Sequence, residues 1–122
     1  MKTLLLALLL VTGSAWAEWV RVGESDAIEQ YIDPATIRKD GNLVRVWTIQ
    51  NLKQRHKNGE LSLRVRYEYD CKQERLKFLS GTEHSGPMAS GTELRSDIGS
   101  GQWNDIPPGT VGESVLKIVC AK

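Results

Sequence analysis

The densest cluster of side chains suited to binding in this 122-residue sequence is Lys53, Arg55, His56 and Lys57. Cations packed this closely could meet an acidic protein surface, a glycosaminoglycan or a phosphate. The same stretch ends in Asn58-Gly59, and a solvated hairpin tip is the ordinary use of such residues. Arg64 and Arg66 follow on alternate positions and would extend the patch along a strand. Glu68 and Asp70 share their parity and favour plain cross-strand pairing instead. Trp103 comes after the glycine-serine run Gly99-Ser100-Gly101 and before Pro107. It is either an exposed binding anchor or an aromatic folded back over a thin core. Lys53, Arg55, His56, Lys57, Arg64, Arg66 and Trp103 therefore form the candidate binding set.

Other chemistry finds little support. His84 and Ser85 are adjacent, so on a strand they point to opposite faces and make a poor base–nucleophile pair. His56 and His84 are not at metal-ligand spacing, and neither lies in a haem-attachment motif. Asp33 has a capping role open to it. Asp70, Asp97 and Asp105 fall at turns, which disfavours a carboxylate pair for glycoside chemistry. There is no nucleophile elbow, phosphate loop or zinc helix. The residues predict no catalytic group, no metal site and no cofactor.

These side chains are positioned by one dominant strand. From Glu60 to Cys71, Leu61, Leu63, Val65, Tyr67 and Tyr69 alternate with Ser62, Arg64, Arg66, Glu68 and Asp70. A period of two places the first set on one face and the second on the other. The second set is too charged to bury, which predicts a sheet with one wet side. Cys71 keeps the apolar parity and points inward. Leu43 to Ile49 carries apolar residues at both parities and reads as a more central strand, joined to the dominant one through the basic loop. Glu18 to Gly23, Tyr31-Ile32 and Arg75 to Ser80 read as further strands. Ser25 to Glu29 reads as a loop or single turn, and Gly81 as a bulge or strand end. Pro87 to Leu94 reads as a weak edge strand, and Ser96 to Trp103 as a loop. Asp33-Pro34 opens a helical turn, and Asp40-Gly41-Asn42 marks a reversal. Thr110 and Glu113 fit a capping box ahead of Val111, Val115, Leu116, Ile118, Val119 and Cys120, a helix face whose last residues could also read as a strand. The expected fold class is α+β: one antiparallel sheet of about six strands with a C-terminal helix.

Lys2, the apolar run Leu4 to Val11 and Ala15-Trp16-Ala17 form a secretory signal peptide over 1–17, leaving a single domain over 18–122. Its apolar run is too short to span a bilayer. No cysteine follows that run, so a lipid anchor is not expected, and the product is periplasmic, surface-located or secreted. Lys plus Arg number 16 against 15 Asp plus Glu. Loss of Lys2 balances them, so no global field would hold the mature chain on nucleic acid or an anionic membrane. In an exported protein Cys71 and Cys120 should be bonded, and closing that loop stabilises by about 4 kcal/mol in the chain-entropy treatment.

Several motifs carry a resemblance. They are Trp19, Tyr31-Ile32-Asp33 with Ile37, Val46-Trp47, Tyr67-Glu68-Tyr69-Asp70-Cys71 with Arg75, Met88 with Gly91, Trp103, Ile106-Pro107-Pro108-Gly109-Thr110, and Val119-Cys120. In order and spacing, over nearly all of the mature chain, the sequence resembles the surface-adhesin protein E family. The resemblance implies a six-stranded antiparallel sheet with a disulfide-bridged C-terminal helix. It further implies adhesion to host matrix proteins such as vitronectin and laminin, and haem binding. The expected function is thus a non-enzymatic exported binding protein with a host-matrix or envelope protein as partner. The alternative is a small inhibitor of a cell-wall-degrading enzyme, for which Ser96-Asp97 is the candidate inserting segment.

Overall fold

The computed structural model describes residues 18–121, so the signal-peptide segment lies outside the described residues. The main sheet path runs β1 (Val20–Glu24), β2 (Ile28–Ile32), β4 (Leu43–Leu52), β5 (Ser62–Asp70), β6 (Arg75–His84) and β7 (Glu93–Ile98). Two short strands lie off this path: β3 (Arg38–Asp40) pairs with β4, and β8 (Trp103–Asp105) pairs with β6. Every pairing is antiparallel. The chain ends in α1 (Val111–Val119), with Cys71 bonded to Cys120. The expected class and the disulfide are both present.

Local chemistry explains most boundaries. Asp33 caps a short 3-10 turn at Pro34–Thr36 by accepting from the Ala35 N–H. Gly41 supplies the positive φ, 62°, that the β3–β4 reversal requires. Thr110 Oγ1 accepts from the Glu113 N–H at 3.3 Å, while Glu113 Oε1 reaches back to the Gly109 N–H rather than to that of Thr110. The residues up to Val119 are helical, which resolves the strand alternative, and Ile118 turns outward.

Other boundaries differ from the sequence reading. Ile28 and Glu29 belong to β2, because pairing with Leu52 and Asn51 fixes a stretch whose own pattern is weak. The strand from Arg75 continues through Gly81 to His84. Its irregularity sits at Leu79, where Arg66 and Tyr67 pair with Ser80 and Phe78. Pro87 to Ala89 form a 3-10 turn, since proline lacks the N–H that a strand ladder uses. Ser96 and Asp97 are in β7 and not in a loop.

The core forms where α1 meets the sheet: Val115, Leu116 and Val119 pack on Ile32, Val44, Val46 and Tyr69. A Cβ on Gly23 would stand 3.2 Å from Val111 Cγ1, and one on Gly112 would stand 3.8 Å from Leu76 Cδ2. β1 and β6, well separated along the sheet, thus both reach the first turn of the helix, so the sheet curves around it. Tyr69 is fully buried, whereas Tyr67, on the same face, is only half-buried. Truncating Tyr69 to alanine should therefore cost about 3–5 kcal/mol, the usual loss for a buried aromatic. Thr110→Ala should cost about 1 kcal/mol, and Tyr67→Ala should fall between the two. Denaturant melts of the three variants check this order.

Candidate binding surface

The side of the sheet away from α1 gathers three of the candidate residues, Arg64, Arg66 and Trp103, with further charged and aromatic side chains. β4 directs Arg45 and Trp47 there, β5 directs Arg64, Arg66, Glu68 and Asp70, β6 directs Arg75 and Lys77, and β8 adds Trp103. Register alone brings them together: Trp47 faces Arg66, Arg45 faces Glu68, Glu68 faces Lys77, and Lys77 faces Trp103.

This face is not uniformly wet, which corrects the expectation from charge alone. Ser62, Glu68 and Asp70 are buried. Glu68 Oε2 accepts from Arg45 Nε at 2.9 Å, and its Oε1 lies 3.4 Å from Lys77 Nζ. Asp70 Oδ2 accepts from Arg75 Nε at 3.1 Å, while Oδ1 accepts from the Lys72 and Gln73 N–H groups and fastens the β5–β6 turn. The long cationic side chains lie over these carboxylates and shield them from water. Burial pushes the Glu68 carboxyl up, but the hydrogen bonds and charges of Arg45 and Lys77 outweigh it and hold the group below its ordinary value of 4.5. Asp70 is held below 3.8, first by the Gln73 N–H and then by Arg75 and Lys72, against the opposing effect of burial.

Cations also cover the two tryptophans. The Arg64 guanidinium sits 4.0 Å from the Trp47 ring centroid. Arg75 and Lys77 stand 4.6 Å and 4.5 Å from that of Trp103. Trp103 is half-buried and lies on the outer face, so it is neither a core residue nor a free anchor. Arg64 and Arg66 have no carboxylate partner among the described residues. The result is a cationic, aromatic surface built on rigid strands.

The basic loop is organised differently. Lys53 Nζ meets Glu24 Oε2 at 2.5 Å. Arg55 donates to the Gly59 carbonyl at 2.8 Å and to that of Ser85 at 2.6 Å, tying two loops together. His56 Nδ1 is 3.4 Å from Glu60 Oε2, and Lys57 is exposed at the tip. Between this loop and Arg64 lies the Pro87–Ala89 turn, where the Met88 N–H donates to Asn51 Oδ1 and the Ala89 N–H to Ser62 Oγ. Loop and outer face are therefore separate surfaces. Sequence reasoning placed Arg64, Arg66 and Trp103 in the candidate set but omitted Arg45, Trp47, Arg75 and Lys77. Only the strand register reveals that those residues share the face.

The two histidines lie in different surroundings. His84 is buried with Nε2 2.7 Å from Thr82 Oγ1. His56 borders a depression lined by Asp26, Ala27, Lys53, Gln54 and Arg55.

Fold and surface together describe a small disulfide-pinned sheet domain with a cationic, aromatic outer face. The sequence profile of the surface-adhesin protein E family matches residues 19–121, and the chain belongs to that family. No curated protein matches it. Among solved structures it is similar to crystal form II of Haemophilus influenzae protein E, with a TM-score of 0.68, 17% identity, and coverage of 88% of this chain and 91% of that one. A second structure of Haemophilus influenzae protein E gives 0.67 and 16%, covering 88% and 87%. Protein E from non-typeable Haemophilus influenzae gives 0.65 and 17%, covering 89% and 79%. Among the described residues, no helix is long and apolar enough to cross a membrane.

The carboxylates set a pH dependence. A carboxyl held below its unfolded value contributes stability above that value and loses it as pH falls through the folded pKa. Glu68 and Asp70 should thus make stability decline from about pH 5 downward. Denaturant melts across this range should show a shallower decline for Glu68→Gln than for the parent chain.

Proposed function

We propose that this is an exported, non-enzymatic binding protein that holds an acidic segment of a partner protein against its outer sheet face. Arg64 and Arg66, with the half-buried Trp47 beside them, make the contact. A host matrix protein is the partner class that the family points to, with an envelope protein as the other candidate. The observation that carries the reading is the pair Arg64 and Arg66, charged and without a carboxylate partner among the described residues, with the Arg64 guanidinium 4.0 Å from the Trp47 ring centroid. Arginine and tryptophan are the side chains most often responsible for interface energy. A rigid strand surface also loses little conformational freedom when a partner docks.

The basic loop is the weaker site, since Lys53 is paired with Glu24 and Arg55 is engaged by two carbonyls. Surface plasmon resonance of the mature chain on immobilised vitronectin, laminin and envelope extract tests the assignment. Binding should weaken from physiological salt to 1 M, as the Debye length falls from about 8 Å to about 3 Å. Arg64→Glu with Arg66→Glu should weaken it about tenfold or more without lowering Tm appreciably. Lys57→Glu should leave it intact. Full binding by the double variant at physiological salt would refute the outer face as the contact surface.

A further inference from the structure

β7 ends the main sheet path, and every one of its six residues is exposed. Ile98 is 88% accessible and Leu94 43%. Among the described residues its only strand neighbour is β6, so one row of its backbone groups is open. The Gly99 N–H donates to the Leu79 carbonyl at 2.9 Å, and the ladder keeps step through Ser80–Ile98, Gly81–Asp97 and Thr82–Ser96. Alternation along an antiparallel pair then turns the N–H and C=O of Asp97 towards β6, and those of Ser96 and Ile98 towards solvent. Such an edge is a template for another strand unless lysine, proline or a bulge blunts it. β7 has neither of those residues, and its one irregularity, at Leu94, lies near its end. The opposite edge is protected: a bulge at Val22 interrupts β1, and the first turn of α1 packs against Gly23.

The order of residues in β7 says which strand fits beside it. Glu93-Leu94-Arg95-Ser96-Asp97-Ile98 is complementary to itself when an identical strand runs antiparallel with Ser96 opposite Ser96. Arg95 then faces Asp97 of the second copy and Leu94 faces its Ile98, each pairing occurring twice by symmetry. Opposite charges and apolar pairs placed in this way stabilise a ladder. Ser96, whose N–H and C=O point outwards, sits at the centre and exchanges two backbone hydrogen bonds with its own copy. Moving the centre by one residue sets Arg95 against Arg95 or Asp97 against Asp97, and like charges directly opposite are unfavourable. Arg95 is well exposed and lies 3.3 Å from Glu83, so a further carboxylate can join it without displacing that contact.

We infer that two copies of this chain pair edge to edge through β7, about a two-fold axis at Ser96, and continue one antiparallel sheet across both. The contact uses the same strand on each side and leaves only the protected β1 edges outside, so it closes at a dimer. One six-residue strand per copy makes a small interface, which sets the dimer among weak, reversible associations. Ile98, Ser80 and Arg66 lie in one row across the sheet, and Ser96, Thr82 and Arg64 in the next. Pairing therefore joins the two outer faces, with the β5 strands about 24 Å apart at about 4.8 Å per strand. The association does not depend on what the outer face binds.

Sedimentation velocity of the mature chain, run from micromolar to millimolar concentration, should show a monomer giving way to a dimer. Ser96→Pro removes an N–H that points to the open edge and leaves the bonds to β6 in place, as proline is tolerated on such edges. It should weaken self-association about tenfold or more with little change in Tm. Ile98→Lys alters a side chain that touches almost nothing in the monomer, should act in the same direction, and serves if the proline variant does not fold. The register has its own test. Directly opposed residues of a hydrogen-bonded pair have Cα atoms about 5.5 Å apart, within disulfide reach. Ser96→Cys should therefore oxidise to a covalent dimer far faster than Ile98→Cys, whose counterpart in the second copy is Leu94. A chain that stays monomeric at millimolar concentration would overturn the inference. So would a dimer unchanged in both edge variants, assembly beyond the dimer, or equal oxidation of the two cysteine variants.

Discussion

A nine-residue helix sets the terms for the rest of this structure. At about 1.5 Å per residue it spans about 14 Å, whereas the ten residues of β4 extend about 33 Å. The helix can bury only part of the concave face. It is held where it lies at one end by the Cys71–Cys120 bond, and at the other by Thr110 and by the close approach at Gly23. The apolar core consequently gathers around Val44, Val46 and Tyr69, while Gln30, Gln50 and Tyr67 in the same sheet face a cleft.

The outer face meets a related constraint by other means. With no second layer over Trp47, Glu68 and Trp103, the sheet covers itself with its own long side chains. Arg45, Lys77 and Arg75 extend across the strands, place their heads on buried carboxylates and rest their stems on neighbouring groups. Removing one cation from such a pair leaves a buried carboxylate uncompensated, which costs far more than an exposed ion pair contributes. The surface is therefore both charged and fixed in shape. Arg64 and Arg66, which have no carboxylate partner among the described residues, project from β5 and not from a loop.

The fold class, the disulfide and the helix cap were legible in the sequence because each rests on local chemistry. Alternation from Leu61 to Tyr69 gives the face, the parity of Cys71 gives its direction, and Thr110 with Glu113 gives the cap. What remained hidden depends on pairing. Ile28-Glu29 looks like a loop until Leu52 and Asn51 lie beside it. Ser96-Asp97 reads as turn chemistry until β6 offers a ladder. The charge of Glu68 and Asp70 predicts exposure, and only the register that sets Arg45 and Lys77 opposite Glu68, and Arg75 opposite Asp70, explains their burial. In the candidate site, the basic run at Lys53 to Lys57 is the loudest signal, yet local contacts engage most of it. The face that carries Arg64 and Arg66 is spread over β4, β5, β6 and β8, and no linear pattern can display it.

The helix covers part of the concave face and leaves Tyr67 bordering a cleft. Hydroxyl-radical footprinting of the folded, disulfide-intact chain, read residue by residue by mass spectrometry, tests it directly. Tyr67 and Tyr69 sit two positions apart on the same strand face with equal intrinsic reactivity, so each calibrates the other. The structure predicts that Tyr67 is modified readily and Tyr69 only after unfolding. Equal protection of the two tyrosines would contradict the account, because it would mean that Tyr67 is covered as completely as Tyr69.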